Sequence, residues 1–214
     1  MSVRLAAIVF VAVLQLFAAS EPAEAQRQKG KLGGGAGFAW LSDPNVDLGS
    51  TAIVGGYTGF RFNDNVSVEA GLYWTGADRV YNVFGVPLDD EPVDNNLPSF
   101  RIESNRYQAD GTLVLNLGRR QPFHPFFLIG GGVQRREHKR TEFVREIEEG
   151  TGLDIFVPVV VADETSYTPN AIFGIGADIY FMYNLAARAE GRLWVPTSWD
   201  ERTFAMFFSA SYFF

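Results

Sequence analysis

The amino-acid sequence predicts an all-β fold, an eight-stranded antiparallel up-and-down β-barrel that spans a membrane. Three observations support this prediction. Apolar and polar residues alternate with a period of two along most of the chain, the connections between the alternating segments differ in length in a regular way, and the first residues form a targeting segment. The 214 residues suffice for one such barrel and are too few for a second sizeable domain.

Residues 1–25 match the pattern of a signal peptide. Arg4 supplies a positive charge, Leu5–Ala19 is an apolar run, and Ala23-Glu24-Ala25 is an A-x-A cleavage site. A retained helical anchor is the alternative, but the run is shorter than the roughly 20 residues that a bilayer requires. We therefore expect an exported protein whose mature barrel domain is residues 26–214.

The alternation predicts strands with two different faces. After Gln26 no apolar stretch is long enough for a membrane-spanning helix, so any membrane crossing must use strands that close into a barrel. Several of the alternating segments reach the 9–11 residues that a tilted transmembrane strand needs. The eight predicted strands are Gly30–Leu41, Thr51–Phe62, Val66–Thr75, Ser104–Leu117, Phe126–Arg136, Ser166–Phe181, Leu185–Val195 and Thr203–Phe214.

The connections distinguish the two rims of the predicted barrel. Residues 63–65, 118–125 and 182–184 form short connections, whereas Gly76–Glu103 and Glu137–Thr165 are long. Outer-membrane barrels have short periplasmic turns and longer extracellular loops. We therefore expect the outer membrane of a Gram-negative-type cell, with the two long connections outside.

Charged residues within the strands share one parity. An Arg that faces the bilayer midplane costs about 2–4 kcal/mol, so this parity should face the lumen. Five inward cations and four inward anions nearly balance, which predicts a packed charge network rather than an open channel. A narrow pore is the alternative, and a lipocalin-like cup, with its apolar face inward, is a further one. The predicted lumen residues are Lys31, Arg61, Glu69, Arg106, Asp110, Asp178, Arg188, Glu190 and Arg192.

Composition argues against several classes of function. The absence of cysteine excludes disulfides and thiolate chemistry, and the net charge of −7 disfavours nucleic-acid binding. The two histidines, His124 and His138, fall in a short turn and a long loop at opposite rims, so they cannot share a site. The acidic residues between Asp89 and Asp94 fit a solvated loop better than a metal site. We expect no enzyme activity, no cofactor and no metal; a lipid A-modifying enzyme is the remaining catalytic alternative.

The connection Glu137–Thr165 carries the most distinctive surface features. Arg135, Arg136, Lys139 and Arg140 lie at its base, at the height of lipopolysaccharide phosphates, and predict a basic collar that contacts the outer leaflet. The alternative is a solvated face whose cations pair with Glu137 and Glu142. Further along, apolar residues between Phe143 and Val161 predict a hairpin that projects past the membrane. Such an edge can accept an added strand.

The C-terminal segment carries a family resemblance. Phe204, Met206, Phe208, Ala210, Tyr212 and Phe214 share one parity, and the last residue is aromatic. This resembles the final strand of outer-membrane barrels, in which Tyr212 and Phe214 would correspond to the signal read by the barrel-assembly machinery.

Gly55–Trp74 and Pro125–Gly132 are similar to segments of the small OmpA/OmpX-like barrel family. The resemblance spans the mature chain and implies an architecture more than an activity. The peptidoglycan-binding C-terminal domain of full-length OmpA-type members has no counterpart in this sequence, so cell-wall tethering is not expected.

The expected function is therefore structural or adhesive. We expect a monomeric barrel that contributes to envelope integrity, contacts outer-membrane lipid and lipopolysaccharide, and uses its long outer connections to bind a surface or a host protein.

Overall fold

A computed structural model describes residues 29–43, 47–63, 65–82, 99–117, 123–147, 154–197 and 201–214. The predicted signal peptide lies outside these residues and stays a prediction. Eight strands follow one another along the chain: β1 (Gly30–Ser42), β2 (Asp47–Arg61), β3 (Val66–Asn82), β4 (Ser99–Asn116), β5 (Phe123–Ile147), β6 (Asp154–Met182), β7 (Leu185–Pro196) and β8 (Thr203–Phe213). In the described ranges no helix is long and apolar enough to cross a membrane.

The strands form a closed antiparallel barrel in which each strand pairs with its neighbours in sequence. Closure is made between the first and last strands, where Lys31 pairs with Phe213 and Leu41 with Thr203. The predicted fold class and the number of strands are confirmed.

The two faces of each strand differ as the alternation predicts. On β3, Glu69 and Tyr73 are buried in the lumen, while Leu72 between them is 68% exposed on the outer wall. The outward apolar residues form the band that contacts lipid, because a membrane barrel turns its polar face inward.

Aromatic residues border this band at both ends, as interfacial girdles do in membrane barrels. Phe60, Phe62, Phe123, Phe181 and Tyr183 lie at the end with the short turns. At the other end, which we call the outer end, lie Trp40, Trp74, Tyr107, Tyr167 and Phe204.

The strand boundaries at the outer end differ from the prediction. In the segments predicted as the loops Gly76–Glu103 and Glu137–Thr165, residues 76–82, 99–103, 137–147 and 154–165 are strand, because β3 to β6 continue well beyond the aromatic girdle. Asn82 pairs with Ser99, and Ile147 pairs with Asp154. We call this four-stranded extension the outer sheet. Its strands pair with their neighbours through backbone hydrogen bonds, and this pairing does not depend on an alternation of apolar and polar side chains.

Candidate functional site

Arg188 is the centre of the lumen charge network. Its side chain is fully buried and comes from β7. Its Nε donates to Asp178 Oδ1 at 2.8 Å, and its Nη1 donates to Glu69 Oε2 at 2.7 Å and to Glu190 Oε2 at 3.4 Å. The guanidinium also lies 4.3 Å from the ring centroid of Phe126. One cation thus joins β3, β5, β6 and β7.

Lys31 completes this layer from β1. Its Nζ lies 3.0 Å from Glu69 Oε1 and 3.3 Å from Asp178 Oδ2. The same ammonium lies 5.2 Å from the ring centroids of Tyr57 and Phe213. Both carboxylates are therefore shared between two cations, so removing either cation would leave each buried carboxylate with one cationic partner instead of two.

A second charged layer lies closer to the outer end. Arg192 Nη1 donates to Asp110 Oδ2 at 2.8 Å, and its Nη2 lies 2.9 Å from Glu190 Oε1. Trp194 Nε1 also donates to Asp110 Oδ2, at 3.3 Å. Glu190 connects this layer to Arg188, which makes the two layers one network.

Aromatic rings pack between the charges. The Arg192 guanidinium lies 4.6 Å from the ring centroid of Tyr73, and that ring makes edge contacts with Trp194 and Phe207 at 5.5 and 5.4 Å. Trp194 and Phe207 are fully buried. The lumen is therefore packed in the manner of a protein interior, and these rings could have been found from sequence because they share the parity of the charges.

Amide side chains and Arg106 extend the polar packing of the lumen toward the outer end. Asn170 Nδ2 donates to Gln108 Oε1 at 2.7 Å, and Gln108 Nε2 donates to Gln134 Oε1 at 2.8 Å. Arg106 donates to the carbonyl of Ser42 at 2.6 Å and to Thr203 Oγ1 at 2.9 Å. Arg106 thus ties together the ends of β1 and β8.

Arg61 lies at the opposite end of the lumen. It donates to the Tyr180 hydroxyl at 2.9 Å and lies 5.1 Å from the ring centroid of Phe213. From the sequence, Arg61, Arg188 and Arg192 are all candidate partners of Glu69 and Glu190. In the structure the ion pairs of Glu69 are made with Lys31 and Arg188, and those of Glu190 with Arg188 and Arg192. The cavity beside Arg61 and Glu69 has a volume of about 10 Å³, room for a single water molecule.

An apolar cluster closes part of the outer mouth. Leu41, Leu48, Ile53 and Ile102 are buried together with Tyr81. The ring of Tyr81 stacks on Phe100 of β4 at 5.4 Å. Sequence alternation did not reveal this cluster, because it is formed by residues of β1 to β4 that meet only when the strands extend above the membrane.

The four cations of the predicted basic collar do not lie on one face. Successive residues of a strand point to opposite faces, and Arg136 points inward, where it pairs with Asp43 and, at 2.7 Å, with Glu201. Arg140 lies 4.5 Å from the ring centroid of Phe100 and pairs with Glu142 at 2.8 Å. A collar that includes Arg136 is therefore wrong.

The outward cations are accompanied by acids. Arg135 forms an ion pair with Glu137, and Lys139 stands in register between Glu103 of β4 and Asp163 of β6. On β4, Arg101 pairs with Asp78 at 2.7 Å and with Glu103 at 3.4 Å. The outer sheet therefore presents paired charges, as the alternative interpretation of these cations predicts.

The β5–β6 hairpin exposes apolar side chains. Val159, Val160 and Val161 are each more than 40% exposed, as is Val144 on the facing strand. The sequence offers an alternative cover for this hairpin in the neighbouring connection, whose apolar residues are Val80, Tyr81, Val83, Phe84 and Val86. Of these, Tyr81 packs in the mouth cluster instead, and residues 83–86 lie outside the described part of the chain.

Both histidines lie on β5 rather than in connections. The His124 ring lies 4.8 Å from the ring of Tyr180 at the end with the short turns, while His138 lies near the outer mouth, 3.1 Å from Arg136 Nη2. Partial burial and the adjacent Arg136 lower the pKa of His138. The residues between Asp89 and Asp94 lie outside the described residues.

Tyr212 and Phe214 lie at the seam that closes the barrel. Their rings are stacked with centroids 6.2 Å apart, and Phe214 exchanges backbone hydrogen bonds of 2.8 and 3.0 Å with Gly30 of β1. Their role as an assembly signal stays a prediction.

Comparison with known proteins identifies the family. Residues 9–198 match the family model described as the outer membrane protein beta-barrel domain. The chain belongs to this family. It is accordingly an outer-membrane protein. A search of curated proteins found no significant match.

Solved structures of low sequence identity share the fold. The attachment invasion locus protein Ail of Yersinia pestis, in complex with the heparin analogue sucrose octasulfate, is 13% identical with a TM-score of 0.54, covering 87% of this chain and 99% of Ail. The outer membrane protein OprG of Pseudomonas aeruginosa is 12% identical with a TM-score of 0.53, covering 90% of this chain and 99% of OprG.

Proposed function

We propose that this outer-membrane protein is a non-enzymatic adhesive or structural protein, in which a closed barrel supports the outer sheet as a contact surface. The observation that carries the proposal is the exposure of Val144 and Val159–Val161 on a hairpin that projects beyond the membrane. A hairpin that met only water would be expected to carry polar side chains at these positions, and clustered exposed apolar residues mark interaction sites.

The packed lumen supports a structural role for the barrel and argues against a pore. Arg188, Arg192, Trp194 and Phe207 fill the cross-section and are almost completely buried. A conducting lumen would need water-accessible charges without partners, whereas these guanidinium groups have carboxylate partners.

Contact with lipid and export complete the proposal. Any contact with lipopolysaccharide phosphates would use Arg135 and Lys139, which point outward near the membrane edge. We further propose that residues 1–25 direct export and that Tyr212 and Phe214 are recognised by the barrel-assembly machinery.

Attachment by Ail, to which this chain is similar, is compatible with an adhesive role. The ligand in that structure is a sulfated sugar, however, and in the present protein the outward cations are paired with acids. We therefore do not propose binding of sulfated polysaccharide.

Removal of the hairpin tip tests the proposal. Deleting Arg145–Val160 removes the tip and leaves the pairing of β5 with β6 below it. We expect the truncated chain to reach the outer membrane in normal amount while cells that carry it lose attachment to abiotic surfaces or host-cell layers. Full attachment by the truncated protein would overturn the contact role of the hairpin tip.

A further inference from the structure

Strand β6 has an open edge above the membrane. Its pairing with β7 begins at Asn170, which is opposite Pro196. Residues 154–169 precede this point, and in the described residues they pair with β5 alone. An edge of this kind presents unpaired N–H and C=O groups to any chain that can lie beside it.

The opposite edge of the outer sheet, on β3, lies beside β2. On β3, the carbonyl of Gly76 accepts a hydrogen bond from the Thr51 hydroxyl of β2. Arg79 of β3 in turn donates to the carbonyl of Ser50 at 3.3 Å. Within the part of the chain that the structure describes, β6 therefore has the longer edge with a partner strand on one side only, residues 154–169 against residues 76–82 of β3.

Three residues limit the part of this edge to which another strand could pair. Pro158 and Pro169 lack an N–H group. Val161 is a bulge, because Arg140 pairs with Ala162 and Thr141 with Val160. Prolines and bulges are the devices that protect edge strands from unwanted pairing. The stretch Ala162–Thr168 lies between them, contains no proline and keeps a regular register with β5.

This stretch is accessible on both faces. Asp163, Glu164, Thr165, Ser166 and Tyr167 are all exposed. Because successive side chains alternate between faces, Asp163 and Glu164 place one carboxylate on each face of the edge. An added strand would therefore meet a carboxylate whichever way its side chains point.

The acidic residues along this edge indicate the charge of the strand that could pair with it. Residues 154–169 include Asp154, Asp163 and Glu164 and contain no Lys or Arg. On β5, Lys139 stands opposite Asp163 and His138 opposite Glu164, but these residues lie on the side away from the open edge. A second copy of β6 or an anionic polysaccharide would add like charge, whereas a cationic strand would be complementary.

We propose that Ala162–Thr168 of β6 accepts an extended, cationic segment of a partner protein as an added β-strand. Main-chain hydrogen bonds supply the affinity, and Asp163 and Glu164 select for Lys or Arg. The proposal rests on the contact function proposed above and places the contact on the edge below the apolar tip.

Three synthetic peptides test it on the full chain in lipid nanodiscs. The first alternates Thr and Val with Lys at two neighbouring central positions. The second has Glu in place of Lys, and the third keeps Lys but has Pro at alternate positions, which prevents strand pairing. We expect the first peptide to bind about tenfold more tightly than the Glu peptide, since two partly exposed charge pairs contribute on that scale. It should also bind about tenfold more tightly than the Pro peptide, which keeps the charges but cannot pair as a strand. Its binding should slow amide hydrogen exchange in Ala162–Thr168.

Charge-reversed variants provide the matched comparison. The double variant Asp163→Lys, Glu164→Lys should reverse the preference between the Lys and Glu peptides. Glu103→Lys makes the same type of change on β4, away from the open edge, and should leave the preference unchanged. Equal binding of the two Lys peptides, no binding of the first peptide, or binding without protection of Ala162–Thr168 would overturn the proposal.

Failure of this inference can be distinguished from failure of the contact function. If no peptide binds but deletion of Arg145–Val160 still abolishes attachment, only the strand-addition proposal is overturned. If the deletion leaves attachment intact and no peptide binds, the contact function itself is overturned.

Discussion

At Arg188, three carboxylates and two aromatic rings surround one buried guanidinium. Removing one partner of a buried ion pair costs about 3–5 kcal/mol, because the remaining charges stay buried without compensation. We expect Arg188→Ala to lower the free energy of unfolding, measured by urea titration in detergent, by an amount of that order, with a matching fall in the midpoint. Arg101→Ala provides the control.

Arg101 also pairs with two acids, but its side chain is 43% exposed, and exposed pairs contribute little. Its removal should leave the midpoint nearly unchanged. Similar midpoints for the two variants would show that water reaches the lumen charges, and would favour the pore interpretation.

His138 should titrate below its ordinary range. Burial and the neighbouring Arg136 both disfavour the charged imidazolium and lower the pKa of His138. The hydrogen bond from Arg136 to Nδ1 also requires that this nitrogen be unprotonated. At a pH of about 6.5, where an ordinary histidine is half protonated, His138 should therefore be less than half protonated.

An NMR titration of the two histidines measures this directly. In Arg136→Gln the pKa of His138 should rise, because one of the causes that lower it is removed. An ordinary pKa for His138 in the unmodified protein would contradict the described geometry of the outer mouth.

At the scale of the strands, β1 and β8 approach closely at their seam. A Cβ added to Gly35 would collide with the backbone carbonyl of Phe208, whereas one added to the adjacent Gly34 would have its nearest neighbour at an ordinary 3.5 Å. We expect Gly35→Ala to destabilise the barrel by about 1–3 kcal/mol, as overpacking does. Gly34→Ala should be close to neutral in the same urea unfolding experiment, and equal effects would argue against the described seam.

The strands themselves could be predicted because lipid imposes alternation on the outer wall. Where β3 to β6 leave the membrane, this constraint ends, and the prediction stopped at Thr75 and Arg136 although the pairing continues. The bulge at Val161 follows from the pairing of β5 with β6 and has no clear signal in the sequence. The hairpin around residues 143–161 was predicted because β-branched residues are dense there.

The lumen charges could likewise be predicted only in part from the sequence. Parity was sufficient to place Glu69, Arg188 and Arg192 in the lumen, but the individual ion pairs depend on the register and tilt of strands distant in sequence. Arg136 pairs with Asp43 and Glu201, which no local pattern connects. Arg136 does not belong to an outward collar for a simpler reason, since Arg135 and Arg136 are adjacent in a strand and must face opposite sides.

At the scale of the whole molecule, two parts of the barrel have different roles in this account. The membrane-spanning part is filled by a charge network interleaved with Tyr73, Trp194 and Phe207, and stabilises the fold. The outer sheet extends above it, with paired charges on its surface, exposed valines near its tip and one open edge. Function is therefore expected at the outer sheet rather than through the lumen.

Conductance across a planar lipid bilayer measures whether the lumen is closed to ions. The purified full-length barrel should insert without producing current steps above background, because the side chains of Arg188, Arg192, Trp194 and Phe207 block the lumen. Reproducible single-channel openings from the unmodified protein would show that the lumen conducts, and would contradict the account of a closed barrel that supports a contact surface.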